Sequence, residues 1–145
     1  MESGYAMLEK VRILIVDDMP PMRAFIRAGI KASISKDIEI DEAGNAEAAR
    51  EKLKIQQYDL ILCDWNMPGV KGTELLQWVR EQEGLKRIPF LMVTAHNEKD
   101  VVMEAIKLGV SDYLMKPITV DVLSKKVRAA LAASILGRQG KDADV

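Results

Sequence analysis

Residues 60–68 read LILCDWNMP. Four apolar residues followed by an aspartate predict a short, fully buried strand, Leu60–Asp64, because a run that is apolar on both faces suits the interior of a parallel sheet. Asn66 and Pro68 favour turns and predict that the strand stops at this point. Asp64 is therefore expected at the carboxyl end of a central strand.

Strands and helices are predicted to alternate along the rest of the chain. Val11–Asp17 and Pro89–Thr94 contain similar apolar runs, whereas Ile38–Ala43 alternates between apolar and acidic residues and Asp112–Met115 is short. The first two are expected at the centre of the sheet and the last two at its edges. The alternation predicts an α/β fold, a doubly wound five-stranded parallel sheet flanked by five helices. The strand order 2-1-3-4-5, known from flavodoxin-like proteins, fits this division.

The helices are predicted from apolar periodicity and from residues that favour helix ends. Asn45 can cap the second helix and Thr119 the fifth, and Gly109 follows the fourth helix at a position that favours a left-handed backbone. The predicted helices are Met22–Ser33, Asn45 to about Gln56, Thr73–Glu81, Glu98–Leu108, and a fifth after Thr119 whose inward stripe is Val120, Leu123, Val127 and Leu131.

Composition restricts the class of protein. The chain has 145 residues, 21 Lys and Arg against 22 Asp and Glu, and one cysteine, Cys63. The balanced charge argues against a nucleic-acid partner, and no apolar run has the length of a membrane span. A cytoplasmic protein is expected, since a single cysteine cannot form an internal disulfide. Residues 10–136 are predicted to form the domain, residues 1–9 an N-terminal extension, and residues 137–145 a tail or the start of a linker.

Polar side chains are expected at the carboxyl ends of neighbouring strands, where open parallel sheets bind their ligands. Asp17 and Asp18 end the first strand, Asp64 the third, Thr94 the fourth, and Lys116 follows the fifth. Three carboxylates brought together need a cation, and Mg²⁺ prefers oxygen ligands and keeps positions for phosphate oxygens. A lysine suits phosphate, and a carboxylate can be a nucleophile that forms an acyl phosphate.

Each of these residues taken alone has an ordinary structural interpretation. Asp18 could cap a helix, Asp64 could begin a turn, Thr94 could be a loop hydroxyl, and Lys116 could be a surface lysine. These interpretations are independent of one another. Their coincidence at four strand ends is what favours a phosphoryl site.

The motifs together resemble the receiver domain of two-component response regulators, from about Lys10 to Leu136. Within that family the likeness is greatest to stand-alone chemotaxis regulators, supported by Met22-Arg23 and by Tyr113 ahead of Lys116. The motifs that carry the resemblance are Val16-Asp17-Asp18, Asp64-Trp65-Asn66-Met67-Pro68, Val93-Thr94-Ala95 and Lys116-Pro117.

The resemblance implies a metal site and a phosphoacceptor. Asp64 would accept a phosphoryl group from a sensor histidine kinase. Asp18 and Asp64 would bind Mg²⁺, with Mn²⁺ as an alternative ion, through their side chains, Asn66 through its backbone carbonyl, and Asp17 through water. The protein would be a phosphoacceptor that assists its own phosphotransfer and autodephosphorylation, and not an enzyme.

The resemblance also implies how the phosphoryl group is detected. Thr94, Ala95 and Lys116 would contact it, and Thr94 and Tyr113 would be the switch residues. Pro117 would follow a cis peptide bond. The output surface would be the fourth helix, fifth strand and fifth helix, which would bind a downstream protein of unknown identity, with chemotaxis as the suggested pathway.

Two positions depart from the family pattern or vary within it. Lys71 stands where the family often has an acidic residue, and His96 lies two residues after Thr94. We hypothesise that His96 and Asn66 tune dephosphorylation by controlling the access of water. A solvent-exposed histidine with no such role is the alternative.

Other classes of function compete with this one. A flavin or nucleotide binder would need a Gly- or Ser-rich loop after the first strand, where Asp17 and Asp18 would repel phosphate. An aspartyl phosphohydrolase would be expected to carry its nucleophile on the first strand and a second Asp at position 19, which is Met. A docking module that needs no phosphate, and a receiver cut from a longer regulator, remain open alternatives.

Overall fold

The computed structural model of the protein describes residues 11–95 and 99–143. Five parallel strands form one sheet in the order β2-β1-β3-β4-β5, which confirms the predicted order and the predicted edges. The predicted extension 1–9 lies outside the described residues. The strands are β1 (Arg12–Val16), β2 (Glu39–Ala43), β3 (Leu60–Asp64), β4 (Phe90–Thr94) and β5 (Asp112–Met115).

Five helices alternate with these strands. Asn45 caps α2, since its Oδ1 accepts a hydrogen bond of 2.7 Å from the N–H of Ala48. Thr119 caps the last helix through a bond of 3.3 Å from the N–H of Val122, and Gly109 has the predicted positive φ, +90°. The helices are α1 (Pro20–Ser33), α2 (Ala46–Ile55), α3 (Gly72–Glu81), α4 (Lys99–Lys107) and α5 (Val120–Ala143).

The start of α1 and the first residue of α5 differ from the prediction. Helix α1 begins at Pro20, two residues early, because prolines fit the first helical positions, where their missing N–H would have no helical partner. Val120 was predicted to face inward but is 41% exposed, since it is the first residue of α5. The rest of the predicted stripe, Leu123, Val127 and Leu131, is buried.

The sheet separates two apolar layers. One layer lies under α1 and α5 and includes Ile15, Ile26 and Leu123. The other lies under α2 and α3 and includes Leu14, Leu53 and Leu76. Every residue of β3 and β4 is buried. None of the described helices has the length and apolar character needed to cross a membrane.

The register of the strands brings their carboxyl ends to one edge. Val16 pairs with Cys63, Asp64 with Val93, and Thr94 with Met115. The residues that follow β1 and β5 and those that end β3 and β4 therefore lie around one small region.

Candidate functional site

Three aspartates converge at the ends of β1 and β3. Asp17, Asp18 and Asp64 each offer a carboxylate oxygen, and these oxygens lie within 4.8 Å of one another. Asp17 is 1% exposed and Asp64 is 5% exposed, whereas Asp18 is half-buried. The structure thus brings together the three carboxylates that the sequence predicted at one site.

The backbone and one carboxylate oxygen of Asp17 are held by neighbouring groups. Its N–H donates to the carbonyl of Ala43 at 3.0 Å, and its Oδ1 accepts a 2.9 Å bond from the N–H of Met19. Its Oδ2 is buried and has no hydrogen-bond partner among the described residues. Burial raises the pKa of the Asp17 carboxyl, and the Asp64 carboxylate adds to the rise, while the Met19 bond opposes it.

Arg23 on α1 also holds Asp17. Its Nη1 donates to the Asp17 carbonyl at 2.6 Å, and its Nε donates to Glu42 Oε1 at 2.8 Å. Arg27 donates to the other oxygen of Glu42, also at 2.8 Å. Sequence reasoning noticed Arg23 only as part of a resemblance. The sequence feature that could have predicted its role is Glu42 near the end of β2, together with Arg23 and Arg27 one turn apart on α1.

Asp64 lies between the acidic pair and a lysine. The Nζ of Lys116 is 3.5 Å from Asp64 Oδ2, and the N–H of Asn66 donates to Asp64 Oδ1 at 3.4 Å. Burial raises the pKa of the Asp64 carboxyl, and the charge of Lys116 is the main effect that opposes the rise. An anionic oxygen on a central strand therefore faces both a cation and two other anions.

Thr94 and Lys116 complete this edge of the sheet. Thr94 is 2% exposed, Ala95 is exposed, and the N–H of Lys116 donates to the Thr94 carbonyl at 2.8 Å. The Lys116–Pro117 peptide bond is cis, the geometry that the resemblance implies. His96 lies outside the described residues, so its predicted role stays a prediction.

The loop from Trp65 to Lys71 is closed tightly beside Asp64. The N–H of Gly72 donates to the Trp65 carbonyl at 2.9 Å. A Cβ at position 72 would lie 2.5 Å from the Asp64 carbonyl oxygen and 2.9 Å from Trp65 Cα, so only glycine fits there. A second bond joins the same two ends of the loop, since Lys71 Nζ donates to Asn66 Oδ1 at 2.8 Å.

Tyr113 lies on β5, distant in sequence from the three aspartates, and borders a groove. Its half-buried ring lies under the ammonium of Lys126, 5.2 Å from the ring centroid. Lys126 also pairs with Asp112 at 2.8 Å. The groove has a volume of about 230 Å³ and is lined by Lys99, Val102, Met103, Tyr113 and Met115.

Comparison with known proteins identifies the family. The sequence model that describes the response regulator receiver domain matches residues 13–128. The chain belongs to the response regulator receiver family. It is 39% identical over 120 residues to the chemotaxis protein CheY of Pseudomonas aeruginosa, covering 81% of this chain and 93% of the relative. It is 36% identical over 126 residues to the chemotaxis protein CheY-3 of Vibrio cholerae, covering 84% and 93%.

Solved structures agree with this assignment. The chemotaxis response regulator CheY4 of Vibrio cholerae matches with a TM-score of 0.76 at 27% identity, covering 83% of this chain and 98% of that chain. The receiver domain of the Francisella response regulator 1452 matches with a TM-score of 0.76 at 26% identity, covering 86% and 99%. The protein is thus a CheY-like receiver, a signalling domain of two-component systems.

The receiver family binds Mg²⁺ through a cluster of aspartates, and the residues of this chain fit that ion. Oδ2 of Asp17 is a buried anionic oxygen with no donor among the described residues, and burial of such a group is costly unless a charge compensates it. The donors are all oxygens, which suits Mg²⁺ or Mn²⁺ better than a softer metal.

Proposed function

We propose that this receiver accepts a phosphoryl group from a sensor histidine kinase on Asp64, in the cytoplasm and with the help of Mg²⁺. The observation that carries the proposal is the setting of the Asp64 carboxylate, which lies at the end of a central strand between Lys116 and the acidic pair. This buried carboxylate therefore has a cation beside it and two further oxygen ligands for a metal ion close by.

The reaction is an in-line displacement. A carboxylate oxygen of Asp64 attacks the phosphorus, the new O–P bond forms as the P–N bond to the kinase histidine breaks, and that electron pair returns to the imidazole nitrogen. When bound, Mg²⁺ supplies positive charge that offsets the repulsion between the aspartates and the incoming phosphoryl oxygens. Asp18, Asp64 and the carbonyl of Asn66 would hold the ion directly, and Asp17 would hold it through water.

Three residues contact the transferred group. Lys116 pairs with a phosphoryl oxygen after its ammonium leaves Asp64 Oδ2, from which it is now 3.5 Å away. The Thr94 hydroxyl donates a hydrogen bond to another oxygen, and Ala95, which is exposed, also contacts the group. Positioning and charge neutralisation provide most of the rate in such transfers.

The output surface, which binds the partner after phosphorylation, is formed by α4, β5 and α5. Movement of Thr94 toward the phosphoryl group draws the ring of Tyr113 inward, and the added charge favours one of two existing arrangements. The ring borders an apolar groove that contains two methionines, a side chain that adapts to varied partners. The partner is a downstream protein, and chemotaxis is the pathway that the relatives suggest.

The phosphoryl group is lost by hydrolysis at the same site. Asn66 is exposed beside Asp64, and we assign to it and to His96 the control of water access. The protein thus turns over its own phosphate as a phosphoacceptor, without acting on a separate substrate as an enzyme does.

Intact mass after incubation with acetyl phosphate and Mg²⁺ tests the function. The wild-type chain should gain one phosphoryl group, and chelation of Mg²⁺ should abolish the gain. Asp64→Asn should gain none, whereas Asp37→Asn, which alters an exposed aspartate in the turn before β2, should behave as wild type. A gain that persists in Asp64→Asn would contradict the proposal.

A further inference from the structure

The side chain of Lys71 bridges the two residues that follow Asp64. Its Nζ donates to Asn66 Oδ1 at 2.8 Å and lies 5.7 Å from the centroid of the Trp65 ring. Lys71 is half-buried and Asn66 is exposed. An acidic residue at position 71 could accept a bond from the Asn66 amide nitrogen but could not donate to Oδ1, so the lysine changes which end of the amide is occupied.

Both ends of this bridge are fixed relative to Asp64. The N–H of Asn66 donates to Asp64 Oδ1 at 3.4 Å, and the N–H of Gly72, next to Lys71, donates to the Trp65 carbonyl at 2.9 Å. The ammonium of Lys71 also lies over the Trp65 ring, whose π face attracts a cation. The Asn66 amide is therefore held by a short side-chain bond on a short loop.

We infer that Lys71 is a positioning residue that prolongs the life of the phosphoryl group on Asp64 by occupying the amide oxygen of Asn66. The inference rests on the proposed function. In hydrolysis, the oxygen of a water bonds to phosphorus, the P–O bond to Asp64 breaks, and its electron pair stays on the carboxylate. The acyl phosphate dianion and water thus give a carboxylate and dihydrogen phosphate.

The attacking water needs an acceptor that orients it toward phosphorus. The amide oxygen of Asn66 is a suitable acceptor close to Asp64, but the ammonium of Lys71 binds it. The amide nitrogen that remains is a donor and cannot accept a hydrogen bond from the water. Loss of the Lys71 donor frees the oxygen and should therefore speed hydrolysis.

The first test compares phosphoryl lifetimes. Wild type, Lys71→Met, Lys71→Arg and Lys86→Met are loaded with acetyl phosphate and Mg²⁺, the donor is removed, and the phosphorylated mass is followed over time. Methionine keeps the length and apolar stem of lysine. Lys71→Met should lose the group roughly threefold to tenfold faster, the effect of one hydrogen bond. Lys71→Arg should restore the lifetime, and Lys86→Met, which removes an exposed lysine paired with Glu83, should not change it.

A double variant shows whether the effect passes through Asn66. In an Asn66→Ala background, Lys71→Met should leave the hydrolysis rate unchanged, because the oxygen that Lys71 occupies is gone. An equal acceleration in both backgrounds would overturn the inference, since Lys71 would then act on the phosphoryl group by charge alone.

A second readout needs neither phosphate nor metal. The side-chain amide resonance of Asn66 in the free protein should shift in Lys71→Met and stay in place in Lys86→Met. An unchanged Asn66 resonance in Lys71→Met overturns this inference alone. Equal lifetimes of the phosphoryl group on Asp64 in wild type and Lys71→Met do the same. Failure of the wild type to gain a phosphoryl group on Asp64 overturns the proposed function and this inference with it.

Discussion

The ammonium of Lys116 lies 3.5 Å from Oδ2 of Asp64, although 52 positions separate the two residues in the chain. Both follow or end a strand, and parallel pairing of β3 with β4 and of β4 with β5 brings them together. The Lys116 side chain is 25% exposed and that of Asp64 is 5% exposed. The pair therefore depends on the fold for its geometry, and Lys116 is its more exposed member.

Replacement of Lys116 by methionine should slow phosphorylation of Asp64 by roughly 10²-fold, because a positioned cation at the developing charge is lost. Methionine fills the same space, so the fold should be kept. Lys125→Met on the exposed face of α5 is the matched control. Initial rates with acetyl phosphate, followed by intact mass, measure the effect. A rate for Lys116→Met equal to that of the control would contradict the role given to this lysine.

Asp17→Asn should stabilise the fold when Mg²⁺ is chelated. The pKa of Asp17 is raised, which means that the folded state disfavours the ionised form of this carboxyl. The contribution of Asp17 to the free energy of unfolding therefore declines as the pH rises from 3.8 through the folded pKa. Above the folded pKa the penalty of the buried carboxylate is present, and the amide, whose oxygen can still accept from Met19, should remove about 1–3 kcal/mol of it.

Mg²⁺ should reverse the order of stability. The ion binds the folded wild type and raises its free energy of unfolding, whereas Asp17→Asn loses part of the site. Urea unfolding with a chelator and with saturating Mg²⁺ gives all four values. A wild type that is the more stable protein under both conditions would argue against the cost of the buried carboxylate.

Gly72→Ala should destabilise the protein by roughly 1–3 kcal/mol, the range for forced overpacking. The added methyl would meet the backbone of Asp64 and Trp65, neither of which can move without disturbing β3. Gly84→Ala is the control, since nothing lies within 4 Å of a Cβ at that position. Thermal unfolding of both variants distinguishes them, and equal melting temperatures would refute the steric argument.

Glu42→Gln should flatten the acid limb of the stability profile. Burial alone would raise the pKa of Glu42, but the hydrogen bonds and charges of Arg27 and Arg23 outweigh it and hold the pKa below the ordinary value of 4.5. A lowered pKa contributes stability above 4.5 that is lost as the pH falls through the folded pKa. The wild type should thus lose more of its free energy of unfolding between about pH 7 and pH 3 than the variant does. Parallel losses would show that this cluster does not stabilise the fold.

The sequence predicted the sheet well because strands that are buried on both faces consist almost entirely of apolar residues. β3 and β5 have the predicted bounds, and the other strands differ by one or two residues. Helix α5 was less predictable. It continues through Ala143, past the boundary predicted at 136, because glycines at 137 and 140 cost a helix only about 1 kcal/mol each against alanine.

The sequence predicted the site residues at the strand ends but not the side-chain hydrogen bonds that hold them. The carboxylates and Lys116 follow from topology, since parallel strands bring their carboxyl ends to one edge. The bonds of Arg23 to the Asp17 carbonyl and of Lys71 to the Asn66 amide depend instead on rotamers and loop shape. Sequence periodicity carries no information on either.

The burial of the strands and helices sets up a gradient of stiffness across the sheet. β3 and β4 are buried at every position, whereas β5 buries one residue in four, and α4 buries only Ala105 among its nine residues, all of which are described. Tightly packed elements resist deformation and loosely packed ones yield first. A structural change at Asp64 on β3 should therefore displace β5 and α4 more than β4. These two elements would then present a changed surface to a binding partner.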